Sequence, residues 1–166
     1  DRGRILLKLA DLIEANAEEL ARLESLDTGH PIKDSRALDV PRTAACYRYF
    51  GGMADKFQGD VVPVEAGFLN YVLREPVGVV GQIVPWNFPL MFCGWKLGPA
   101  LAAGNCAVMK PSELTPLTSL RLAELIAEVG CPRMITQGPQ LDGPLGTALR
   151  WPIDHMDTFA WSVDLP

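Results

Sequence analysis

An asparagine held between two prolines is the first feature of this sequence that could do chemistry. It stands in the run Pro85-Trp86-Asn87-Phe88-Pro89. The prolines restrict the backbone on both sides, so the amide of Asn87 would point in a nearly fixed direction. A fixed N–H donor can stabilise a developing oxyanion, and removing such a donor costs about 3 kcal/mol of transition-state stabilisation. Asparagine is also common at turns and helix N-caps, so a plain turn or cap role is an open alternative.

A lysine and a carboxylate three residues apart form the second candidate site. Lys110 and Glu113 follow an apolar segment that ends at Met109. A carboxylate at such a strand end can accept hydrogen bonds from both ribose hydroxyls of a dinucleotide. It would also repel a 2′-phosphate, which favours NAD over NADP as the cofactor. In the alternative, Ser112 caps a helix that opens at Thr115, and Glu113 interacts with the macrodipole of that helix.

Alternating short strands and helices are expected to position these two loops. The expected order is strand 77–84, helix 90–103, strand 106–109, helix 115–129, a weak strand near Met134, helix 145–149 and strand 155–159. Such βαβ units imply an α/β fold with a parallel, doubly wound sheet. In these sheets ligands bind beyond the carboxyl ends of the strands, which is where Asn87 and Lys110 fall.

The first third of the chain has the apolar spacing of helices. Apolar residues recur at helical intervals between positions 5 and 23, and Asn16 with Glu19 is typical of a capping box that starts a second helix. Gly29 is expected to end that helix. A further helix is expected over 35–56, with a disturbance at Pro41.

Strand-forming residues after position 59 predict a β-hairpin. They flank Glu65-Ala66-Gly67, a plausible turn. The chain is therefore expected to consist of a helical N-terminal region at 1–58, the hairpin at 59–77 and part of a dinucleotide-binding domain at 78–166.

Composition excludes several classes of function. With 48% hydrophobic and 21% charged residues, the 166-residue chain is ordinary for a soluble globular protein. A net charge of −5 argues against nucleic-acid binding, and no apolar run is long enough to cross a bilayer. The four cysteines lack the C-x-x-C spacing of a zinc site or redox pair, so no metal is expected. We expect the thiols to be reduced and the protein to be cytoplasmic.

A long run of residues resembles the central signature of the aldehyde dehydrogenase superfamily. It reads EPVGVVGQIVPWNFPL at 75–90, WKLGPALAAGN at 95–105 and VMKPSE at 108–113. The helical region also resembles the family, and the resemblance covers positions 2–130. A G-x-G-x-x-G fingerprint is absent after the first strand, because Gly78 and Gly81 fall within the strand itself, which disfavours an ordinary Rossmann dehydrogenase.

The resemblance implies a role for each matching residue. The implied sets are Asn87 for the oxyanion hole; Ile83, Val84, Pro85 and Trp86 for the nicotinamide-ribose side; Lys110, Ser112 and Glu113 for the adenosine ribose; and Phe88, Phe92 and Trp95, on the helix after the asparagine, for an apolar aldehyde tunnel. Plain core packing is the alternative for the three aromatics. The hairpin would mediate homo-oligomerisation, and an isolated copy should expose an edge that associates readily.

The resemblance also implies parts that this chain lacks. In the family a cysteine thiolate attacks the aldehyde and a glutamate activates water, and neither motif is present, so we expect the front part of an enzyme, without its catalytic domain and inactive alone. After Cys131 the match decays, and Trp161 stands where the family has a glycine, beside Ser162, which matches a serine at the cofactor diphosphate. A non-catalytic dinucleotide-binding module and a structural remnant that binds nothing are the alternatives.

Overall fold

The computed structural model describes residues 1–131 and 134–136 of the chain. Its helices are α1 (Arg2–Ala15), α2 (Ala17–Thr28), the single turn α3 (Ile32–Asp34), α4 (Val40–Met53), α5 (Pro89–Ala102) and α6 (Leu117–Glu128). Its strands are β1 (Asp60–Val62), β2 (Asn70–Val72), β3 (Val79–Ile83), β4 (Cys106–Lys110) and β5 (Met134–Thr136). The helix predicted at 145–149, the strand predicted at 155–159, Trp161 and Ser162 lie outside the described residues.

The junction between α1 and α2 differs from its prediction in its hydrogen bonds. Two helices meet at Asn16 as expected, but the Asn16 side chain makes no cap to α2 and donates instead to the carbonyl of Leu12, at 2.8 Å. Glu19 pairs with Arg121 of α6 at 3.1 Å. The predicted capping box is therefore wrong, because both of its side chains have partners elsewhere. Gly29 ends α2 as predicted, at a φ of 79° that favours glycine.

The helix predicted over 35–56 is interrupted at its start. Ser35–Asp39 form a π-helical turn, and α4 begins at Val40 with Pro41 in its first turn. Proline is well tolerated there because its missing N–H would have no partner within the helix. The disturbance thus precedes Pro41. The π-turn places the side chain of Asp39, which is 2% exposed, inside the protein.

The predicted hairpin is confirmed. Strands β1 and β2 pair antiparallel, with Asp60 opposite Val72. The turn between them is closed by a hydrogen bond from the N–H of Phe68 to the carbonyl of Glu65, at 3.2 Å, and Gly67 has a φ of 98°. All of its residues are exposed.

Three parallel strands form the sheet that was expected to carry the site. Their order is β3-β4-β5, with α5 connecting the first pair and α6 the second, so the α/β architecture is confirmed. Gly81 lies within β3, whereas Gly78 precedes the strand at a φ of 114°, a small correction to its prediction.

The core lies between the helices and one face of the sheet. Its largest fully buried side chains are Tyr47, Leu6, Leu9, Ile13, Leu20, Leu90, Leu97, Met109, Leu122, Leu125, Ile126 and Glu24. The opposite face of β3 is open, since Val79 and Ile83 are 70% and 44% exposed. Within the described ranges, no helix has both the length and the apolar character needed to cross a membrane.

Candidate functional site

Parallel pairing brings the two predicted loops to one edge of the sheet. Ile83 at the end of β3 lies opposite Lys110 at the end of β4, and the N–H of Val84 donates to the carbonyl of Lys110 at 3.1 Å. Beyond the strands, the hydroxyl of Thr115 donates to the carbonyl of Trp86 at 3.1 Å. The loops carrying Asn87 and Lys110 are therefore joined by backbone and side-chain hydrogen bonds.

Asn87 does not cap the helix that follows it. The N-cap of α5 is Phe88, and no side chain of the N-cap bonds to the helix. The cap alternative for Asn87 is therefore wrong. Its side chain is partly buried and makes no hydrogen bond to any residue of the described part of the chain. The amide N–H group is accordingly available to a ligand.

Lys110 and Glu113 form an ion pair at the end of β4. Nζ lies 3.0 Å from Oε2, and the side chains are 26% and 66% exposed. Hydrogen bonding to its own backbone N–H, followed by the contact with Lys110, lowers the pKa of Glu113. The carboxylate is therefore ionised at neutral pH and reachable from solvent.

The predicted alternative for Ser112 and Glu113 is also wrong. Helix α6 begins at Leu117, and the Ser112 hydroxyl accepts a hydrogen bond from the N–H of Leu114, at 3.2 Å, in the turn before it. Glu113 lies outside the first turn of α6, where a macrodipole acts most strongly. Helix formation thus accounts for neither residue.

The chemistry of these side chains fits the ribose of a dinucleotide. An ionised carboxylate accepts from vicinal hydroxyls; beside it an ammonium donates, and a serine hydroxyl donates or accepts. Neither strand-end loop, 84–88 or 111–116, contains a glycine, so these loops do not form a glycine-rich diphosphate cradle. The fit is to the ribose rather than to the diphosphate.

The residues predicted for the nicotinamide side divide into two groups. Ile83, Pro85 and Trp86 are exposed at the strand-end surface, with Trp86 58% exposed. Val84 is only 3% exposed and packs in the core. Its side chain therefore does not face that surface.

The three predicted tunnel aromatics do not share one environment. Phe88 precedes the helix rather than lying on it, and its ring centroid is 5.1 Å from that of His30. Phe92 and Trp95 lie on α5 with ring centroids 5.3 Å apart, edge to face. Trp95 is 45% exposed, so plain core packing does not describe it.

Two carboxylates of α2, neither of them predicted from the sequence as a site residue, hold the helices beside the site. An oxygen of Glu24 lies 3.5 Å from the N–H of Leu90 in α5, and Asp27 accepts from the N–H of Leu117 in α6 at 2.8 Å. Neither helix has a capping side chain of its own. Helix α2 therefore caps both helices from outside, satisfying N–H groups that have no partner within a helix.

Glu24 is the more unusual of these carboxylates because it is 0% exposed. The hydroxyl of Thr118 donates to it at 2.7 Å. Desolvation, with a smaller contribution from the charge of Asp39, raises its pKa from 4.5 to about 7. The burial of Glu24 could have been predicted from the helical spacing of the sequence. Glu24 lies three residues after Ala21 and four after Leu20, both buried, and so falls on the apolar face of α2.

Two of the cysteines are poorly suited to nucleophilic attack. Cys93 is 1% exposed, and its Sγ lies 3.3 Å from the hydroxyl of Ser119. Burial raises the pKa of Cys93 to about 12 and also raises that of Cys46. Since the thiolate is the reactive form, these thiols are inert at neutral pH.

Comparisons with known proteins agree with the geometry. The chain is 54% identical over 132 residues to the mitochondrial aldehyde dehydrogenase of Rattus norvegicus, a match covering 80% of this chain and 25% of that protein. It is 53% identical over 131 residues to the NADP/NAD-dependent aldehyde dehydrogenase PuuC of Escherichia coli (strain K12), covering 79% of this chain and 26% of that protein. The crystal structure of PnpE from Pseudomonas sp. WBC-3 is similar with a TM-score of 0.79 at 70% identity, covering 82% of this chain and 29% of that one.

The matches cover most of this chain but only part of its relatives. It spans about a quarter of the length of the curated relatives that it matches. The model of the aldehyde dehydrogenase family matches residues 1–138. With that match over most of its length and a sheet and helices that superpose on solved members, the chain belongs to the aldehyde dehydrogenase family.

Proposed function

We propose that this segment supplies the oxyanion donor and the cofactor-ribose site of an NAD-dependent oxidation of an aldehyde to a carboxylate. The observation that carries the proposal is the adjacency of two strand-end loops in a member of this family. One loop carries Asn87, whose amide has no partner among the described residues, and the other carries the exposed pair Lys110 and Glu113. PnpE has been crystallised with nicotinamide adenine dinucleotide, which supports the choice of cofactor.

Each part of the site has a defined task in this reaction. The amide of Asn87 donates to the aldehyde oxygen as negative charge develops on it. Lys110, Ser112 and Glu113 bind the adenosine ribose, and the charge of Glu113 disfavours a 2′-phosphate, so NAD is preferred to NADP. When bound, NAD supplies the hydride acceptor. The exposed residues Ile83, Pro85 and Trp86 would hold its nicotinamide ribose.

The cysteines of this chain are not expected to supply the nucleophile. Cys46 and Cys93 have raised pKa values, and none of the four cysteines lies in the family's nucleophile motif. The isolated chain is therefore expected to bind cofactor without turnover of aldehyde. Phe92 and Trp95 present an apolar, partly exposed surface on α5, which favours an apolar aldehyde as substrate.

The hairpin is the proposed contact between copies of the protein. Its apolar side chains are exposed, among them Phe68, Leu69 and Leu73 at 76%, 76% and 68%. An exposed strand edge with such residues favours pairing with a second chain. A cytoplasmic location stays a prediction from the reduced thiols.

The role of Asn87 is tested in a chimaera in which residues 1–131 replace the matching segment of PnpE. With acetaldehyde and benzaldehyde as substrates, Asn87→Ala is expected to lower kcat by about 100-fold or more, the usual effect of removing an oxyanion donor, with little change in the KM for NAD. Asn70→Ala, which changes an exposed asparagine in β2, is the control. An Asn87→Ala chimaera with the kcat of the parent would contradict the proposal.

A further inference from the structure

Three polar side chains, the buried Glu24 and Asp39 and the half-buried His30, form a polar cluster against the Asn87 loop. Glu24 and Asp39 are 0% and 2% exposed, and Nδ1 of His30 lies 3.0 Å from Oδ2 of Asp39. One ligand atom from each residue lies within 4.8 Å of the others. Burying two carboxylates is costly unless hydrogen bonds and charges compensate. The partners of the cluster therefore show what it holds in place.

One partner is the start of the helix that follows Asn87. An oxygen of Glu24 lies 3.5 Å from the N–H of Leu90, the second residue of α5. Its other oxygen accepts from the hydroxyl of Thr118 at 2.7 Å. Glu24 thus fixes the first turn of α5 relative to α6, three residues after Asn87.

A second partner is the residue directly after Asn87. The ring of Phe88 packs against that of His30, with centroids 5.1 Å apart and an interplanar angle of 57°. On the other side of Asn87, the carbonyl of Trp86 accepts the hydrogen bond of Thr115. The backbone on both sides of Asn87 is therefore held by other elements of the protein.

We propose that Glu24, acting with His30 and Asp39, is a positioning group that sets the direction of the Asn87 amide. Asn87 touches the reacting oxygen, whereas Glu24 acts on it through Leu90, and His30 through Phe88. This inference rests on the proposed function, because the direction of the amide matters to catalysis only if Asn87 is an oxyanion donor.

The protonation state of Glu24 provides a way to perturb this arrangement. As a carboxylate it accepts from both Leu90 and Thr118, and protonation converts one oxygen into a donor, which weakens that hold. The titratable groups facing it are Asp39, which raises its pKa, His30, which lowers it, and the thiol of Cys93 on α5, whose own pKa Glu24 helps to raise. The remaining contacts from α5 and α6 are the hydrogen-bond donors of Leu90 and Thr118. The change is expected near pH 7.

Nuclear magnetic resonance of the 166-residue chain tests the proposal. Between pH 5.5 and 8.5, the side-chain amide of Asn87 and the backbone amide of Leu90 should shift together with one midpoint near 7. Glu24→Gln should abolish both shifts. The control Glu14→Gln, at an exposed ion pair on α1, should leave them unchanged.

A second variant, Thr118→Val, tests the same proposal if Glu24→Gln does not fold. Thr118→Val removes a hydrogen bond that lowers the pKa of Glu24, so both midpoints should move to higher pH together. A Leu90 amide that titrates while Asn87 stays fixed would overturn the proposal and leave Glu24 a helix cap only. An Asn87 shift that persists in Glu24→Gln would overturn it as well.

The kinetics of the chimaera separate this inference from the proposed function. If Asn87→Ala leaves kcat unchanged, the oxyanion role fails, whatever the spectra show. If Asn87→Ala lowers kcat while Glu24→Gln alters neither kcat nor the Asn87 resonance, the positioning role alone fails. Support for the inference is a kcat lowered about 10-fold by Glu24→Gln, with the KM for NAD unchanged.

Discussion

The loop around Asn87 and the hairpin differ in where their partners lie. The loop is held by α2, by the connection that follows α2 and by the loop after β4, through Glu24, His30 and Thr115 respectively. The hairpin consists of exposed residues throughout, and its apolar side chains, like Val79 on the open face of β3, reach solvent. Contacts within the chain thus determine the conformation of the Asn87 loop. The hairpin, by contrast, has an apolar surface that the described residues do not cover.

Some properties should therefore be present in the isolated chain, and others should require a second copy of it. A loop whose backbone is held by hydrogen bonds from neighbouring elements keeps its conformation without further partners, because breaking those bonds would leave polar groups unpaired. An exposed apolar surface of this size is typical of an interface. Cofactor binding should therefore survive in the isolated chain, while self-association should depend on the hairpin.

The largest expected contrast is in stability. Leu97 is 0% exposed in the core, so Leu97→Ala should lower the free energy of unfolding by about 2–5 kcal/mol. Leu69 in the hairpin is 76% exposed, so Leu69→Ala should change the free energy of unfolding by less than about 0.5 kcal/mol. Urea unfolding of both variants checks the contrast. Equal losses would mean that the hairpin packs against something in solution.

The next largest effect is a pH dependence from Glu24. Burial raises its pKa from 4.5 to about 7, so the folded state binds the proton more tightly than the unfolded state between these values. Its contribution to stability is therefore greatest below about pH 4.5 and falls as the pH rises to about 7, by about 3 kcal/mol. Glu24→Gln should remove this slope in urea unfolding between pH 5 and 8. Parallel pH profiles of the variant and the parent would contradict the burial of an ionisable Glu24.

A smaller effect is expected from charges in the hairpin. Leu69→Lys and Leu73→Lys place charges on the exposed strand surface, so they should reduce self-association by opposing edge-to-edge pairing. The free energy of unfolding of the monomer should stay within about 0.5 kcal/mol. Sedimentation velocity at several concentrations measures the association. The hairpin proposal fails if both variants associate as strongly as the parent.

Local patterns in the sequence predicted most of the elements. The helical spacing before Leu23, the turn residues at Gly67 and the apolar strands before Asn87 and Lys110 each depend on neighbours in the chain. Ends of elements were less predictable: the π-turn before Val40 and the partners of Asn16 depend on packing between helices.

The surroundings of the site were harder to predict than its residues. Asn87, Lys110 and Glu113 lie at strand ends, which topology alone indicates. Glu24 and Asp27, by contrast, bond to residues 66 and 90 positions away, and no local pattern encodes such distant caps. The buried side chain of Val84 was also missed, because an alternating strand shows which residues share a face but not where that alternation ends.

NAD titration by calorimetry shows whether this chain contains an assembled cofactor-ribose site. The 166-residue chain should bind NAD saturably, and Glu113→Ala should weaken binding by about 10-fold or more, since a hydrogen bond to a charged group contributes about 1.5–3 kcal/mol. Glu124→Ala, at an exposed carboxylate of α6, is the control and should bind as the parent does. Saturable binding that depends on Glu113 is the predicted result. Absence of saturable binding, or binding that Glu113→Ala leaves unchanged, would mean that the Lys110 and Glu113 loop does not form this site.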